Sequence, residues 1–152
     1  MYKVIAVIGN SVPLEEYETI AYELGGLIAE RNWVLMTGGL GGVMEKACKG
    51  AKEKKGLTIG ILPGADKKEA NKYVDIPVIT AMQQARNAII VRSADVIVAV
   101  GGGLGTLSEI AMALKINKPV ITVSSWDVDD KLIKAHDAQS AVDEIEKILS
   151  KK

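Results

Sequence analysis

The 152-residue sequence has no phenylalanine, and aromatic residues make up only 4% of it. Its core therefore has to be packed by Val, Ile, Leu, Ala and Met. A single cysteine, Cys48, excludes an internal disulfide and fits a reducing compartment. The single histidine, His136, lies far in sequence from the glycine-rich turns described below, so it supplies neither a metal cluster nor a catalytic triad, and no metal site is expected. The formal net charge is zero, which argues against nucleic acid or an acidic membrane surface as a partner. No apolar run approaches the ~20 residues of a membrane helix, and a strand begins almost at the N-terminus without signal-peptide architecture. A cytoplasmic location is expected.

Apolar residues at 48% and charged residues at 25% make an ordinary globular composition, and the length suits one domain over residues 1–152. Short apolar runs alternate with helical patterns along the whole chain. Strands are predicted at Val4–Ile8, Trp33–Met36, Leu57–Leu62, Ile76–Ile79, Val96–Val100, Val120–Val123 and, more weakly patterned, Leu132–Ala135. Helices are predicted at Pro13–Arg31, Gly41–Lys55, Met82–Ser93, Leu104–Ile116 and Ser140–Ser150, and Ala65–Lys72 is a loop or short helix. Such alternation implies a doubly wound α/β fold: a Rossmann-like parallel sheet between two helical layers.

In such folds ligands gather at the carboxyl ends of the strands. Three turns there carry suitable chemistry. The first, Gly101-Gly-Gly-Leu-Gly-Thr106, links a strand to a helix. Gly102, Gly103 and Gly105 allow close backbone approach, Thr106 adds a hydroxyl, and the helix start adds free N–H groups and positive potential, which together suit a phosphate. The second, Thr37-Gly38-Gly39-Leu40-Gly41-Gly42, repeats the design, although glycines that merely tighten a connection would look the same. The third, Gly9-Asn10-Ser11, offers side-chain contacts to a ligand, while Ser11 also suits an N-cap for the helix predicted from Pro13.

Standard nucleotide fingerprints fit poorly. The turn after the first strand, Gly9-Asn10-Ser11, lacks G-x-G-x-x-G, the second strand ends in Met36-Thr37 without an acidic residue for a ribose, and Gly101–Thr106 lacks the Gly-Lys-Ser/Thr of a P-loop. The chemistry rests instead on Glu109 and Arg86. A carboxylate one turn into an anion-binding helix costs electrostatic energy, so folding alone does not explain Glu109. Arg86 offers a planar fork for phosphate or carboxylate. Taken singly, a solvated glutamate and a surface arginine are the simpler readings; as a pair they are the candidate catalytic residues. Glu45 is read as facing water and Cys48 as a buried thiol, while Trp126 is left open between stacking on a ligand and covering an interface.

Thr37-Gly-Gly-x-Gly-Gly-Val-Met44, Pro63-Gly64, Arg86 and Gly102-Gly-Leu-Gly-Thr-x-x-Glu109 resemble the LOG-like Rossmann superfamily over roughly Val4 to Val123. That group contains cytokinin-activating nucleotide phosphoribohydrolases, once labelled lysine decarboxylases, and molybdenum cofactor carrier proteins. In the hydrolases the glycine motif begins with proline, where this chain has Gly101. Their arginine follows Met-His-Glu and precedes lysine, where Arg86 follows Gln83-Gln84-Ala85 and precedes Asn87. The Gly-Gly-Val-Met-Glu run and the Arg86-Asn87 pair resemble the carrier branch more closely, and no residue set for a pyridoxal cofactor is present. The resemblance implies a phosphorylated small-molecule ligand, either a nucleotide or the molybdenum cofactor (molybdopterin), with no cofactor required by the sequence itself. It also implies a homo-oligomer, dimer or tetramer. The alternative activity it implies is hydrolysis of the N-glycosidic bond of a nucleoside 5′-monophosphate to free base and ribose 5-phosphate.

Overall fold

The computed structural model describes residues 1–151. Seven strands form one parallel sheet: β1 (Val4–Gly9), β2 (Val34–Thr37), β3 (Thr58–Leu62), β4 (Ile76–Ile79), β5 (Val96–Val100), β6 (Val120–Val123) and β7 (Ile133–Ala135). The helices are α1 (Glu15–Glu30), α2 (Val43–Glu53), α3 (Asn87–Ser93), α4 (Leu104–Lys115) and α5 (Ala138–Ser150). The strand order is β4-β3-β2-β1-β5-β6-β7. The chain thus builds outward from β1 to β4, returns, and builds outward again from β5. Right-handed crossovers place helices on opposite faces when the direction reverses. Accordingly α1, α2 and α5 cover one face, packed on Ile5, Val7, Leu35, Val98 and Ile121. Helices α3 and α4 cover the other, packed on Ala6, Ile8, Met36, Ile97 and Ala99. The reversal falls between β1 and β5, which pair from Ile5↔Val96 to Gly9↔Val100.

Strand β5 is buried along its whole length, as the continuous Val-Ile-Val-Ala-Val run requires of a central parallel strand. Helices α1 and α2 lie backbone to backbone. A Cβ on Gly25 would stand 1.9 Å from the Ala47 carbonyl oxygen, and one on Gly50 would stand 2.0 Å from that of Tyr22. Glycine at both positions permits that approach.

Three local expectations are corrected. Helix α1 begins at Glu15, not Pro13, and its cap position is Leu14 with no side-chain cap, so Ser11 is not its N-cap. Glu15, Glu16 and Glu18 in the first turn supply favourable charge to the helix dipole instead. The helix predicted over 82–93 is interrupted. A 3₁₀ turn spans Gln83–Arg86 before α3, and Ala81 and Gln83 hold φ values of +53° and +52°. Their backbone donors are committed to Gly64 and Pro63 carbonyls, which pins this segment to the end of β3. Helix α5 starts earlier than predicted, at Ala138, because Asp137 and Ser140 form a reciprocal capping box.

Candidate functional site

The carboxyl ends of β1, β2 and β5 surround a cleft of about 310 Å³. Its rim comprises Gly9 and Ser11 after β1, Gly38 and Leu40 after β2, and Gly103, Leu104, Gly105 and Thr106 at the start of α4. The 3₁₀ turn and α3 bring in Gln84, Arg86 and Asn87, and Glu109 reaches in from the second turn of α4. Arg86 and Glu109, 23 positions apart, therefore line one cavity, as the paired reading of the sequence expected.

The three glycine turns differ in what they expose. At the α4 turn, a Cβ on Gly103 or Gly105 would meet nothing within 4 Å, so both border open space. Thr106 is 4% exposed and lines the same cleft. Gly102 lies outside the cleft lining. Its φ is +112°, and the Thr106 side chain would stand 2.5 Å or less from any added Cβ, so only glycine fits there.

The turn after β2 is more closed. Gly39 N–H donates to Thr37 Oγ1 at 3.0 Å, and Val43 N–H donates to the Asn10 carbonyl at 2.9 Å. Thr37 is fully buried and points at Cys48, 3.6 Å away. Gly42, at φ +64°, packs on the Asn10 and Ser11 carbonyls. Of Thr37, Gly38, Gly39, Gly41 and Gly42, only Gly38 lines the cleft. A Cβ on Gly38 would stand 2.8 Å from Arg86 Nη2, so this glycine makes the berth for the guanidinium.

Asn10 is likewise committed within the protein. Its Oδ1 accepts from Gly102 N–H while its carbonyl accepts from Val43 N–H, so one residue ties the α2 and α4 turns together. Gly9 serves close packing as well as the rim, since a Cβ would stand 2.2 Å from the Val100 carbonyl. Glu45 is half-buried and away from the cleft lining. Cys48 is fully buried, and burial pushes its thiol up to about 11, so it is not a nucleophile at neutral pH. Trp126 covers the α4 turn, with Nε1 donating to the Gly103 carbonyl at 3.0 Å.

Arg86 and Glu109 are 9% and 7% exposed. Arg86 Nη1 donates to Asn87 Oδ1 at 2.5 Å, while Arg86 Nε and Glu109 Oε2 are buried without any hydrogen-bond partner. Native structures seldom leave such groups unpaired without a purpose. Burial pushes the Glu109 carboxyl up to about 7, against the lowering pull of Arg86. Burial also draws the Arg86 guanidinium below its ordinary range, against the raising influence of Glu109. The cleft thus presents a cation, a carboxyl group whose burial favours the protonated form, and an open helix N-terminus.

Sequence reading missed three contributors. Asn87, 2% exposed, holds Arg86; its place directly after Arg86 was the one available signal. Asn71 fastens the β2 turn, its N–H donating to the Gly39 carbonyl (2.8 Å) and its Nδ2 to that of Leu40 (2.9 Å). Ser108 Oγ donates to the Gly105 carbonyl at 2.7 Å. For Asn71 and Ser108 no local pattern marks the role, because their partners come together only through folding.

The sequence profile of the SLOG cluster4 family matches residues 2–150. The structure of the molybdenum cofactor binding protein from the phototrophic bacterium Rippkaea orientalis superposes with a TM-score of 0.93 at 40% identity, covering 98% of each chain. The Moco carrier protein of Chlamydomonas reinhardtii superposes with a TM-score of 0.91 at 38% identity over all of both chains. A cytokinin riboside 5′-monophosphate phosphoribohydrolase of Mycobacterium tuberculosis is 30% identical over 123 residues, 74% of this chain and 65% of that protein. The chain belongs to the SLOG cluster4 family of the LOG-like Rossmann superfamily, and it resembles the two carrier-branch proteins over more of its length, and at higher identity, than it does the phosphoribohydrolase.

Proposed function

We propose that this chain is a binding protein for a phosphorylated small molecule, with the molybdenum cofactor as its ligand and transport without turnover as its role. The observation that carries this reading is the open first turn of α4. Gly103 and Gly105 border open space, Thr106 lines the same cleft, and a helix N-terminus of this kind attracts phosphate. Gly103, Gly105 and Thr106 would hold the phosphate, and Arg86 would add a charged contact from the facing wall. The unpartnered Arg86 Nε and Glu109 Oε2 fit a ligand that brings both an acceptor and a donor. Gly9, Asn10, Ser11, Gly102 and the β2 turn would shape the cleft more than touch the ligand. The likeness to two molybdenum cofactor proteins over nearly the whole chain supports the choice of ligand. A homo-oligomer, dimer or tetramer, in the cytoplasm belongs to the same proposal, and light scattering checks the assembly.

A second reading is favoured by one observation, the buried Glu109 carboxyl that lines the same cleft as the Arg86 guanidinium with its Oε2 unpartnered. In a phosphoribohydrolase this residue would stabilise an oxocarbenium-like transition state or hold the attacking water. Water would add to the anomeric carbon, the C–N bond would break, and the base would leave with a proton. The M. tuberculosis relative gives this reading its support.

One experiment separates the two. Pure protein is incubated with AMP, GMP, CMP and UMP, and free base is separated by chromatography; in parallel, heat protection by molybdopterin is measured. The carrier reading expects protection by molybdopterin and no base release. Base release that disappears in Glu109→Gln overturns it in favour of the hydrolase.

A further inference from the structure

We infer that Asn87 is a positioning residue that keeps Arg86 from collapsing onto Glu109 and so holds its charge free for an anionic group of the ligand. The consequence for binding rests on the phosphorylated-ligand reading; the positioning itself does not.

Arg86 and Glu109 carry opposite charges and line one cavity, yet no ion pair forms between them within 4 Å. In a buried setting their attraction is strong, and an unpaired arrangement needs something to maintain it. Asn87 supplies it. Its Oδ1 accepts from Arg86 Nη1 at 2.5 Å, and its Nδ2 donates to Ser108 Oγ at 3.4 Å. Ser108 Oγ in turn donates to the Gly105 carbonyl at 2.7 Å. The guanidinium is thereby tethered, through two neutral side chains, to the first turn of α4 beside the candidate phosphate position. A neutral amide satisfies one face of the guanidinium without cancelling its charge. A carboxylate in its place would cancel that charge, and alanine would leave nothing to oppose Glu109. Among the described residues lining the cleft, Arg86 and Glu109 are the only ionisable ones, and Arg86 is the charged group that acts on Glu109.

The test follows the Glu109 carboxyl carbon by NMR across a pH titration of the ligand-free protein. Asn87→Ala should release Arg86 toward Glu109 and move the carboxyl midpoint down from about 7. Asn87→Asp should move it up, since Arg86 is then neutralised and a negative charge is added. Ser108→Ala, at an exposed position, should shift it down in the same sense as Asn87→Ala and serves if that variant fails to fold. A role in packing alone would not produce shifts of opposite sign. In parallel, the dissociation constant of inorganic phosphate is read from its effect on Tm, and it should weaken about tenfold or more in both Asn87 variants. An unchanged Glu109 midpoint in Asn87→Ala and Ser108→Ala overturns the inference. If wild-type protein binds neither phosphate nor molybdopterin, the ligand reading falls, while the titration still decides what Asn87 does.

Discussion

Arg86 Nε and Glu109 Oε2 are buried in the same cleft, opposite in charge, and each lacks a hydrogen-bond partner. A stability-driven arrangement would pair them, since an uncompensated buried charge costs several kcal/mol. Their separation is the kind of local cost that proteins retain at sites of function.

Glu109 makes stability depend on pH in a stated direction. Its folded-state carboxyl titrates at about 7, above the ordinary 4.5. The folded form thus holds the proton more tightly, and this contribution is present below about pH 4.5 and lost as pH rises through 7. Glu109→Gln removes the loss. The variant should gain on the order of 3 kcal/mol over wild type at pH 8 relative to the same comparison at pH 4. Urea denaturation at the two pH values checks it; a pH-independent difference would refute the assignment.

Arg86→Met removes the cation that holds the Glu109 carboxyl down. The Glu109 midpoint should rise above about 7 by NMR titration. The same variant should lose heat protection by phosphate or molybdopterin, with affinity reduced at least about tenfold because a charge-assisted contact is gone.

Two glycines of the α4 turn should respond oppositely to alanine. Gly102, at φ +112° with Thr106 atoms within 2.5 Å of any added Cβ, should lose about 2 kcal/mol or more. Gly105 has helical backbone and open space before it, so Gly105→Ala should gain about 0.5–1 kcal/mol. The added methyl group stands at the cleft, so ligand affinity should fall as Tm rises. Thermal melts with and without molybdopterin measure both effects together.

Gly25→Ala tests the α1–α2 seam. The new Cβ would stand 1.9 Å from the Ala47 carbonyl oxygen, and only separation of the two backbones relieves that. A loss of about 2–3 kcal/mol is expected with little change in ligand affinity, measured by chemical denaturation.

Much of the architecture was legible in the sequence because parallel strands buried on both faces read as continuous apolar runs. The Val96–Val100 run, the glycine turn after it and the helix carrying Glu109 all stand where the pattern placed them. The helix ahead of β5 was less legible. Met82–Ser93 looks continuous, yet the positive φ values at Ala81 and Gln83 come from hydrogen bonds to Pro63 and Gly64, some twenty residues away. Ser11 was misread because its sequence neighbourhood suits a cap, while its backbone is engaged in packing against Gly42.

By itself, then, the sequence determined the alternation of strand and helix, the parallel sheet, the position of the glycine turns at the strand ends and the family to which the chain belongs. These follow from local periodicity and short motifs. Only the tertiary structure decided which turn is open and which is closed, that Gly38 makes room for Arg86, and that Asn10 joins two turns, with Gly102 lying 92 residues from it. It also decided that Arg86 and Glu109 meet unpaired. The physical reason is that hydrogen-bond partners and solvent exclusion depend on which distant segments the sheet order brings together, and no local pattern carries that information.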